Sequence, residues 1–496
     1  MLNVKDTILS IIKAHPQAHA LWVNDCYYTY QEIYCQAQVL ASHIQNCKSE
    51  FCIIIAEKTV NRYIAILGCV LAGKTFVPVT PEGTNRQVNS IFSQLDSDCY
   101  VIDINNEDNK KRITSLMATE SRVFDLSEPL NASDTVFDNT RDAVHAYVMF
   151  TSGSTGVPKG VPVSGENLAS YISNTVDLFK PTHRDKFAQI NSYTFDLSMH
   201  DIFTAWSVGA CIYAFPTNSP FKYVRFVQQH DITFWLSVPS TGVSLNEIGL
   251  LKKGAMPSLK CTLFCGEALP FRLVEQWQLS APNSQVYNVY GPTECTIAIT
   301  YFECERDLEL PKIVPIGQPY ADQQMMLVDN TLREVTEGKG ELVISGSQVT
   351  SGYYQNIEKT AHQYVSIEGY KGVWYRTGDL VEWSQDYGYI YQGRIDDQLK
   401  IRGYRVERLE IETLLREATG TDSVAVVGWP ITETGLSKGL VAFIDKSPLE
   451  LPEIRANYKR LMPEYMWPSQ IYQQPLPQNN SLKVDYKALK QQLQKE

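Results

Sequence analysis

The chain has 496 residues, more than one ordinary hydrophobic core accommodates, so two or three domains are expected. Hydrophobic residues make up 44% of the sequence and charged residues 20%, which is the composition of a soluble globular protein. The formal net charge of −11 argues against a general nucleic-acid binder and offers no polybasic membrane anchor. Eleven cysteines without a disulfide framework favour reduced thiols and hence a cytoplasmic protein.

The N-terminal region contains no pattern typical of export or membrane insertion. Met1–Asp6 lacks the charged, apolar and small-residue pattern of a signal peptide. The longest apolar helical stretch, Tyr63–Gly73, is too short to span a bilayer. We therefore expect no membrane association.

Apolar β-rich runs alternate with helix-like segments along most of the chain. Phe51–Ala56 is predicted as a buried strand, Val60–Ala72 as a helix and Phe76–Val79 as the next strand. Further strands are predicted at Tyr100–Ile104, Ala146–Phe150, Ala210–Phe215, Ile232–Val238, Cys261–Cys265 and Val286–Val289. Continuous apolar strands separated by helices imply an α/β fold, in which helices cover parallel or mixed sheets.

A domain boundary is expected at Gly393. The charged segment that follows leads into a predicted helix, Glu407–Ala418, and two predicted strands, Val424–Gly428 and Gly439–Ile444. About a hundred residues suffice for a small α+β domain. We predict a large domain over residues 1–393 and a small, mobile domain over residues 394–496.

The segment Met149–Gly160 directly follows a predicted strand and contains glycines, hydroxyls and a lysine. Glycines let backbone N–H groups turn toward one point, while the hydroxyls and the lysine add donors and positive charge, as a loop that grips a polyphosphate requires. It is not a Walker A loop, because the lysine follows Pro158 and precedes Gly160. By composition alone, a flexible surface loop remains an alternative. The candidate phosphate-binding residues are Thr151, Ser152, Gly153, Ser154, Thr155, Gly156 and Lys159.

Three shorter segments add candidate ligand-binding groups. Tyr290–Glu294 follows a predicted strand, at the place where ligands of open α/β sheets bind. Its aromatic ring can stack on a purine, its hydroxyl can bind phosphate and its carboxylate can hold Mg²⁺. Gly266–Ala268 follows the preceding strand, and Tyr375–Asp379 places a carboxylate after an extended aromatic segment. Taken singly, these segments are also compatible with a turn or a solvated loop.

Together, the motifs resemble the adenylate-forming superfamily, and more narrowly the amino-acid adenylation domains of nonribosomal peptide synthesis and D-alanine–carrier protein ligases. The resemblance covers essentially the whole chain, with its motifs in family order. No carrier-protein or condensation segment is left over, so a stand-alone ligase is expected. The matching segments are Met149–Gly160, Phe195–Asp201, Asn288–Glu294, Gly340–Tyr354, Tyr375–Leu380, Gly393–Glu407 and Lys483.

The resemblance implies a reaction in two halves that uses ATP and Mg²⁺. A carboxylate attacks the α-phosphorus of ATP and gives an acyl-adenylate and pyrophosphate, and the phosphopantetheine thiol of a carrier protein then displaces AMP. The first half is an in-line displacement that mainly needs positioning and charge neutralisation.

The resemblance also implies roles at matched positions. The glycine-rich loop and Lys159 would hold pyrophosphate, Tyr290 would stack on adenine, and Thr293 would bind the α-phosphate. Glu294 would hold Mg²⁺, and Asp379 would bind the ribose hydroxyls with Arg394 close by. The remaining nucleotide-binding candidates are Gly266, Glu267, Ala268, Asn288 and Gly291.

Two sets of residues in the small domain would serve the two half-reactions. Lys483 would bridge the substrate carboxylate and ATP oxygens, although Leu482 stands where the family has glycine. Asp396 would be the hinge about which the small domain turns. Beyond it, Lys400 and Gly403 would serve thiol transfer, and Arg405 would meet phosphate.

Asp196 is the predicted partner of a substrate ammonium group. Amino-acid-activating members of the family carry an acid here, whereas aryl- and fatty-acid-activating relatives generally lack it. A buried carboxylate left unpaired would be costly, so a cationic partner is physically reasonable. The alternative is a helix N-cap, a role that aspartate also suits.

The other predicted pocket residues indicate a small neutral amino acid, with alanine first and serine, glycine or proline behind. Cys265 resembles the pocket cysteine of D-alanine ligases, His200 departs from that pattern, and no second buried acid is evident for a basic side chain. The pocket residues are Leu197, His200, Ser237, Leu263, Cys265, Val289, Ile297 and Ala298.

Two rival functions remain open at this point. An acyl- or aryl-coenzyme A ligase would share the first half-reaction, and Asp196 is the feature that discriminates against it. A non-catalytic nucleotide sensor on the same fold is disfavoured by the retained Lys483, Glu294 and Asp379.

Overall fold

The structure is a computed structural model that describes most of the chain. The described residues are 3–128, 130, 142–152, 157–216, 219–306, 308, 311–396, 398–401, 403–431, 437–478 and 484–495. The predicted fold class is confirmed: a large N-terminal α/β domain is followed by a small α+β domain.

The first sheet of the large domain has six strands. Its strands are parallel except for the last pair, Tyr147–Thr151 and Lys159–Val163, which run antiparallel. This pair flanks the glycine-rich loop. In sheet order the strands are Arg122–Asp125, Cys99–Asp103, Phe51–Ala56, Thr75–Val79, Tyr147–Thr151 and Lys159–Val163.

The second sheet has nine strands, and its central strands are parallel. Antiparallel strands close it at both edges, so it is mixed rather than purely parallel. In sheet order the strands are Gln318–Pro319, Thr300–Glu303, Gln285–Tyr290, Cys261–Phe264, Phe234–Ser237, Lys186–Gln189, Cys211–Ala214, His19–Val23 and Cys26–Thr29.

A third, antiparallel sheet completes the large domain. It pairs Gln323–Val328, Gly338–Gly346, Trp374–Ser384, Tyr364–Val365 and Gly388–Arg394. In its register Asp379 lies opposite Arg394, which sets up one end of the site.

Helices cover the sheets because their apolar residues recur on one face. Gly165–Phe179, for example, begins with a capping box at Ser164 and Asn167 and buries Leu168, Tyr171 and Ile172. The α-helices of the large domain are Val4–Ala14, Tyr30–Ile44, Val60–Ala72, Asn85–Leu95, Glu107–Thr114, Gly165–Phe179, Leu197–Met199, Ala205–Val208, Tyr223–His230, Pro239–Glu247, Phe271–Ser280 and Ile357–Gln363. Short 3₁₀ turns occur at Pro220–Lys222 and Thr293–Cys295.

One helix is interrupted by a π-helical turn, His200–Thr204. A π turn inserts an extra residue into the α-helical ladder and frequently occurs at functional sites. Here it joins Leu197–Met199 to Ala205–Val208 and carries His200 and the buried Asp201.

The small domain is built on a hairpin and a three-stranded sheet. The hairpin pairs Gln398–Ile401 with Tyr404–Glu407, and the sheet has the order Val424–Gly428, Leu440–Ile444, Gln470–Gln473. Its helices are Arg408–Thr419, Leu451–Leu461 and Tyr486–Lys495, with a 3₁₀ turn at Glu464–Met466. Apolar residues from Leu399 onward form two core clusters separate from those of the large domain.

None of the described helices is both long and apolar enough to cross a bilayer. The eleven cysteines are unpaired, and nine of them are buried.

Candidate active site

The site lies where central parallel strands of the nine-stranded sheet end. Ser237 and Tyr290 close two of these strands, and Cys265 directly follows the strand between them. The carboxyl ends of parallel strands meet at one edge of a sheet, so side chains distant in sequence converge there.

A narrow cleft opens at this edge. It brings together predicted nucleotide-binding residues, including Tyr290, whose ring is buried, and Asn288, whose amide donates to the Val314 and Pro315 carbonyls at 3.2 and 2.8 Å. Sequence reasoning missed four of its residues, because the loop 313–316 and Tyr391 reach the cleft only through tertiary packing. The lining residues are Gly266, Glu267, Ala268, Asn288, Val289, Tyr290, Ile313, Val314, Ile316, Tyr391 and Lys400.

Gly291 lets the chain after Tyr290 pack tightly. A Cβ added to Gly291 would lie 2.6 Å from the Ala298 Cα and 3.0 Å from the Ile297 carbonyl oxygen. Such an approach excludes any side chain. This close packing holds Tyr290, which is predicted to stack on adenine, beside the predicted pocket residues Ile297 and Ala298.

Asp379 and Arg394 form one end of the site. Arg394 donates from Nη1 to Asp379 Oδ1 at 2.9 Å, and the Tyr290 hydroxyl donates to the other carboxylate oxygen. Arg394 also donates from Nε to Asp396 Oδ1 at 2.8 Å. Burial acts to raise the pKa of Asp396, but the Arg394 guanidinium prevails and lowers it. The predicted ribose and hinge residues thus share one arginine.

Lys159 and Glu294 form a buried ion pair at the other end. Lys159 Nζ lies 2.9 Å from Glu294 Oε1, and Arg405 Nη1 lies 3.2 Å from Oε2. Burial lowers the pKa of Lys159 to about 8, with Glu294 acting in the opposite direction. Burial acts to raise the pKa of Glu294, but the two cations hold it well below its usual range. The carboxylate is therefore ionised and fully engaged.

Tyr353 is a member of this cluster that sequence reasoning missed. Its hydroxyl donates to Glu294 Oε1 at 2.7 Å, and Lys159 Nζ donates to that hydroxyl at 3.1 Å. The lysine also lies 4.5 Å from the Tyr353 ring centroid. Tyr353 falls within a segment that carries the family resemblance, so the motif was visible although the contact was not.

The predicted phosphate-binding loop is described only at its two ends. The Thr151 hydroxyl is buried without a hydrogen-bond partner among the described residues, as a group awaiting a ligand would be. Ser152 Oγ contacts the Arg405 backbone carbonyl. The predicted residues Gly153, Ser154, Thr155 and Gly156 lie outside the described residues, and so does Lys483.

The donor set at Glu294 fits a magnesium ion that is shared with a nucleotide. Mg²⁺ is usually held by one or two carboxylates together with substrate phosphates and water. Within the described ranges no group of three or more His, Cys, Asp and Glu side chains could hold a metal alone. Glu294 Oε1 already accepts from Lys159 and Tyr353, whereas Oε2 accepts from Arg405 at 3.2 Å. A metal bound at Oε2 would place its charge beside the Arg405 guanidinium, and this repulsion would favour withdrawal of Arg405.

The hairpin of the small domain reaches into the site. The Gly403 N–H donates to Glu267 Oε1, and the other Glu267 oxygen accepts from the Ser240 N–H at 2.8 Å. Gly403 has a φ of +84°, and a Cβ there would lie 2.5 Å from Val238 Cγ1. Lys400 Nζ lies 5.0 Å from the Tyr391 ring centroid. Lys400, Gly403 and Arg405 are thus all at the site.

The predicted amino-acid pocket is uniformly buried. Each of its side chains is between 0% and 5% exposed, so together they can enclose a small group. Ser237 is the exception, because its Oγ accepts from Trp235 Nε1 at 2.9 Å and Trp235 packs on the opposite side of the sheet from Leu263 and Cys265. Its predicted place in the pocket is therefore not supported. The residues are Asp196, Leu197, His200, Ser237, Leu263, Cys265, Val289, Ile297 and Ala298.

Asp196 makes no capping hydrogen bond to the helix that it precedes, so the N-cap alternative is not supported. Burial raises its pKa to about 7, and a hydrogen bond from the Thr293 side chain acts in the opposite direction. Asp196, the predicted partner of the substrate ammonium group, therefore lies next to Thr293, the residue predicted to bind the α-phosphate.

No second buried acid is evident from the sequence to pair a basic substrate side chain, but the structure buries one, Asp201, directly after His200. Asp201 is 1% exposed, and burial raises its pKa well above the usual range. Its electrostatic partners are Asn191 and Lys58, which act to lower that pKa. Lys58 is therefore within electrostatic reach of Asp201. Sequence reasoning missed the burial of Asp201 because motif spacing does not reveal burial.

Comparisons with known proteins agree with this arrangement. A family model described as AMP-binding enzyme matches residues 10–354. A D-alanine–D-alanyl carrier protein ligase of Lactiplantibacillus plantarum is 28% identical over 511 residues, which cover 98% of each chain. A component of the linear gramicidin synthase of Brevibacillus parabrevis is 30% identical over 503 residues, which cover 98% of this chain but 6% of that protein.

A solved structure matches over nearly its whole length. The Vibrio cholerae adenylation domain AlmE, in complex with glycyl-adenosine-5'-phosphate, is 32% identical and superposes with a TM-score of 0.88. The match covers 100% of this chain and 99% of that one. Since the family model spans most of its length and its relatives include carrier protein ligases, the chain belongs to the AMP-binding enzyme family and is an AMP-forming ligase.

Proposed function

We propose that the protein activates a small neutral amino acid with ATP and transfers it to the phosphopantetheine thiol of a carrier protein. The observation that carries the proposal is Asp196, a buried acid that no cation of the described residues pairs with and that adjoins the Thr293 side chain. An amino acid whose ammonium group binds Asp196 would direct its own carboxylate toward the α-phosphate of ATP.

In the first half-reaction, a carboxylate oxygen of the amino acid forms a bond to the α-phosphorus, and the bond to pyrophosphate breaks. Lys159 and the glycine-rich loop would hold the departing pyrophosphate, and Thr293 would orient the α-phosphate. Glu294 would hold Mg²⁺, which supplies charge neutralisation of the phosphates when bound. Lys483 would bring the reacting carboxylate and phosphate together.

In the second half-reaction, the thiol loses its proton, its sulfur bonds to the acyl carbon, and AMP leaves. The present orientation supports this half, because Lys400, Gly403 and Arg405 are at the site. We propose that the small domain begins at residue 394 and that Asp396 is its hinge, so that one site serves both halves by domain movement.

Relatives support a small substrate in two ways. The Lactiplantibacillus plantarum relative is named for D-alanine, and the Vibrio cholerae structure holds a glycyl adenylate. Alanine is the first choice from the sequence, and we propose alanine or glycine here. The alternative is an acyl- or aryl-coenzyme A ligase. Its substrate would have no ammonium group to pair with the buried Asp196 carboxyl.

Amino-acid-dependent exchange of pyrophosphate into ATP tests the proposal. A panel of glycine, both alanine enantiomers, serine, proline and valine should show exchange with glycine or one alanine, and propionate and acetate should be poor substrates. Preference for a deaminated acid over every amino acid would contradict the assignment. A second assay, loading of a phosphopantetheinylated carrier protein against coenzyme A, separates the two thiol acceptors.

A further inference from the structure

Two buried tyrosines stand behind the proposed amino-acid pocket, and neither was singled out from the sequence. Tyr171 lies on the helix Gly165–Phe179, and Tyr320 follows the short strand Gln318–Pro319. Each is 2% exposed, and their ring centroids are 6.4 Å apart. The two rings therefore form a continuous aromatic surface.

The hydroxyls of these tyrosines differ in their partners. The Tyr171 hydroxyl lies 2.8 Å from His200 Nδ1, in a fully buried hydrogen bond. The Tyr320 hydroxyl is buried and has no hydrogen-bond partner among the described residues. A buried hydroxyl without a partner is unfavourable, so it marks a place that a ligand or an ordered water completes.

Cys265 connects this surface to the proposed substrate. The Asp196 carboxylate is close enough to contribute to the raised pKa of the Cys265 thiol, and that thiol in turn contributes to the raised pKa of both tyrosines. Cys265, Leu263 and both tyrosines also pack in one cluster of buried side chains, so the tyrosine pair borders the proposed pocket. His200 connects the pair to the pocket directly, through its hydrogen bond with Tyr171.

The hydrogen bond of Tyr171 determines how His200 faces the pocket. Burial lowers the pKa of His200 to about 3, so the imidazole is neutral at physiological pH. A phenol is a stronger acid than a neutral imidazole N–H, so the phenol donates and Nδ1 accepts. The proton of the ring then resides on Nε2, and the ring is held in one rotamer and one tautomer.

We propose that Tyr171 and Tyr320 are specificity-determining residues, which close the pocket at the size of a glycine or alanine side chain. Tyr171 is a positioning residue that acts through His200. Tyr320 presents a hydroxyl that a water can satisfy above a small side chain, whereas a branched apolar side chain would leave it unpaired. This inference rests on the amino-acid activation proposed above.

The test measures kcat/KM in pyrophosphate exchange for glycine, both alanines, serine and valine. The variants are Tyr171→Phe, His200→Ala, the double variant and Tyr320→Phe. The wild type should favour its best small substrate over valine by at least about 100-fold, since one methylene contributes roughly 10- to 200-fold. Tyr171→Phe should narrow that ratio about tenfold. Because Tyr171 acts through His200, the double variant should match His200→Ala alone.

Tyr30→Phe is the matched control. Tyr30 is also buried, and its hydroxyl donates to the Ala210 backbone carbonyl at 2.7 Å rather than to a pocket residue. The variant should lose a similar amount of stability and keep the wild-type substrate ratio. Nitrogen-15 NMR of the imidazole adds a direct readout: a single Nε2–H tautomer is expected in the wild type and a mixture in Tyr171→Phe.

The outcomes separate the two proposals. An unchanged ratio in Tyr171→Phe, or additive effects in the double variant, would overturn the inference and leave amino-acid activation intact. Absence of exchange with every amino acid in the wild type would overturn both. Tyr171→Phe removes a single oxygen, so this arm and the NMR readout remain decisive if His200→Ala does not fold.

Discussion

At the scale of single residues, the buried carboxyl of Asp196 implies a pH-dependent affinity for the substrate. Its pKa of about 7 leaves it neutral in acid and ionised above neutrality. Only the ionised form attracts an ammonium group, so kcat/KM for the amino acid should fall about tenfold for each pH unit below 7. The bound ammonium favours ionisation, so kcat should vary less. Profiles between pH 5.5 and 8.5, at saturating ATP, measure both quantities.

Asp196→Asn is the control for this prediction. It keeps the shape of the side chain but removes the charge, so kcat/KM should drop on the order of 100-fold, about 3 kcal/mol, and lose its dependence on pH. The neighbouring Glu267, whose pKa burial also raises, would keep a pH dependence in this variant if it were the responsible group. A wild-type profile that is flat to pH 5.5 would contradict the assignment.

At the scale of elements, the hairpin of the small domain reaches the site through Gly403. Because its φ is +84° and a Cβ would lie 2.5 Å from Val238 Cγ1, Gly403→Ala should push the hairpin away from Glu267. Thiol transfer should fall by roughly 100-fold or more, while adenylation should change only a few-fold. Single-turnover assays of each half-reaction measure this division.

A second glycine provides a matched control. Gly369 has a φ of +85° with open space at its Cβ position, so Gly369→Ala carries the same backbone strain without the collision. It should leave both half-reactions nearly unchanged. Val238→Ala should partly restore thiol transfer in Gly403→Ala by making room. If Gly403→Ala slowed both half-reactions equally, the hairpin would not act specifically in thiol transfer.

Apolar runs made the elements of the sheets predictable. The strands Phe51–Ala56 and Val424–Gly428 have the predicted bounds, because each is a continuous apolar run between polar breaks. The helix Val60–Ala72 also has its predicted bounds, between the N-cap Thr59 and Gly73. Other strands differ by one or two residues at their ends. Ile232–Val238, for example, forms a strand only over Phe234–Ser237.

The π turn and the partners of the motifs were not predictable. His200–Thr204 retains the apolar pattern of a helix, and an extra residue in the ladder leaves no trace in periodicity. Motif spacing pointed to Glu294 and His200, but their partners Tyr353 and Tyr171 lie 59 and 29 residues away in sequence. Pairs at such distances depend on how sheets and helices pack, which a single sequence does not state.

At the scale of the whole molecule, two kinds of ion pair join the small domain to the large one. Arg86–Glu417 and Lys438–Glu247 are exposed pairs at 2.6 Å, each partner about half accessible to solvent. Such pairs typically contribute about 0–1 kcal/mol and weaken with salt. Arg405–Glu294 is different, because the Glu294 side chain is fully buried. The buried contact should therefore govern the orientation of the small domain.

This difference predicts how the small domain responds to nucleotide. A metal bound at Glu294 would bring a second cation beside Arg405, so Mg²⁺ with a non-hydrolysable ATP analogue should weaken the Arg405–Glu294 pair and release the hairpin. Hydrogen exchange of a peptide spanning residues 398–407 should be slow in the free enzyme and should accelerate when both ligands are added. In the Arg405→Ala variant this peptide should exchange fast without any ligand, because the cation that pairs with the buried Glu294 carboxylate is gone. Arg86→Ala removes an exposed pair and should behave like the wild type. Slow exchange in Arg405→Ala, equal to that of the wild type, would show that other contacts hold the small domain in this orientation.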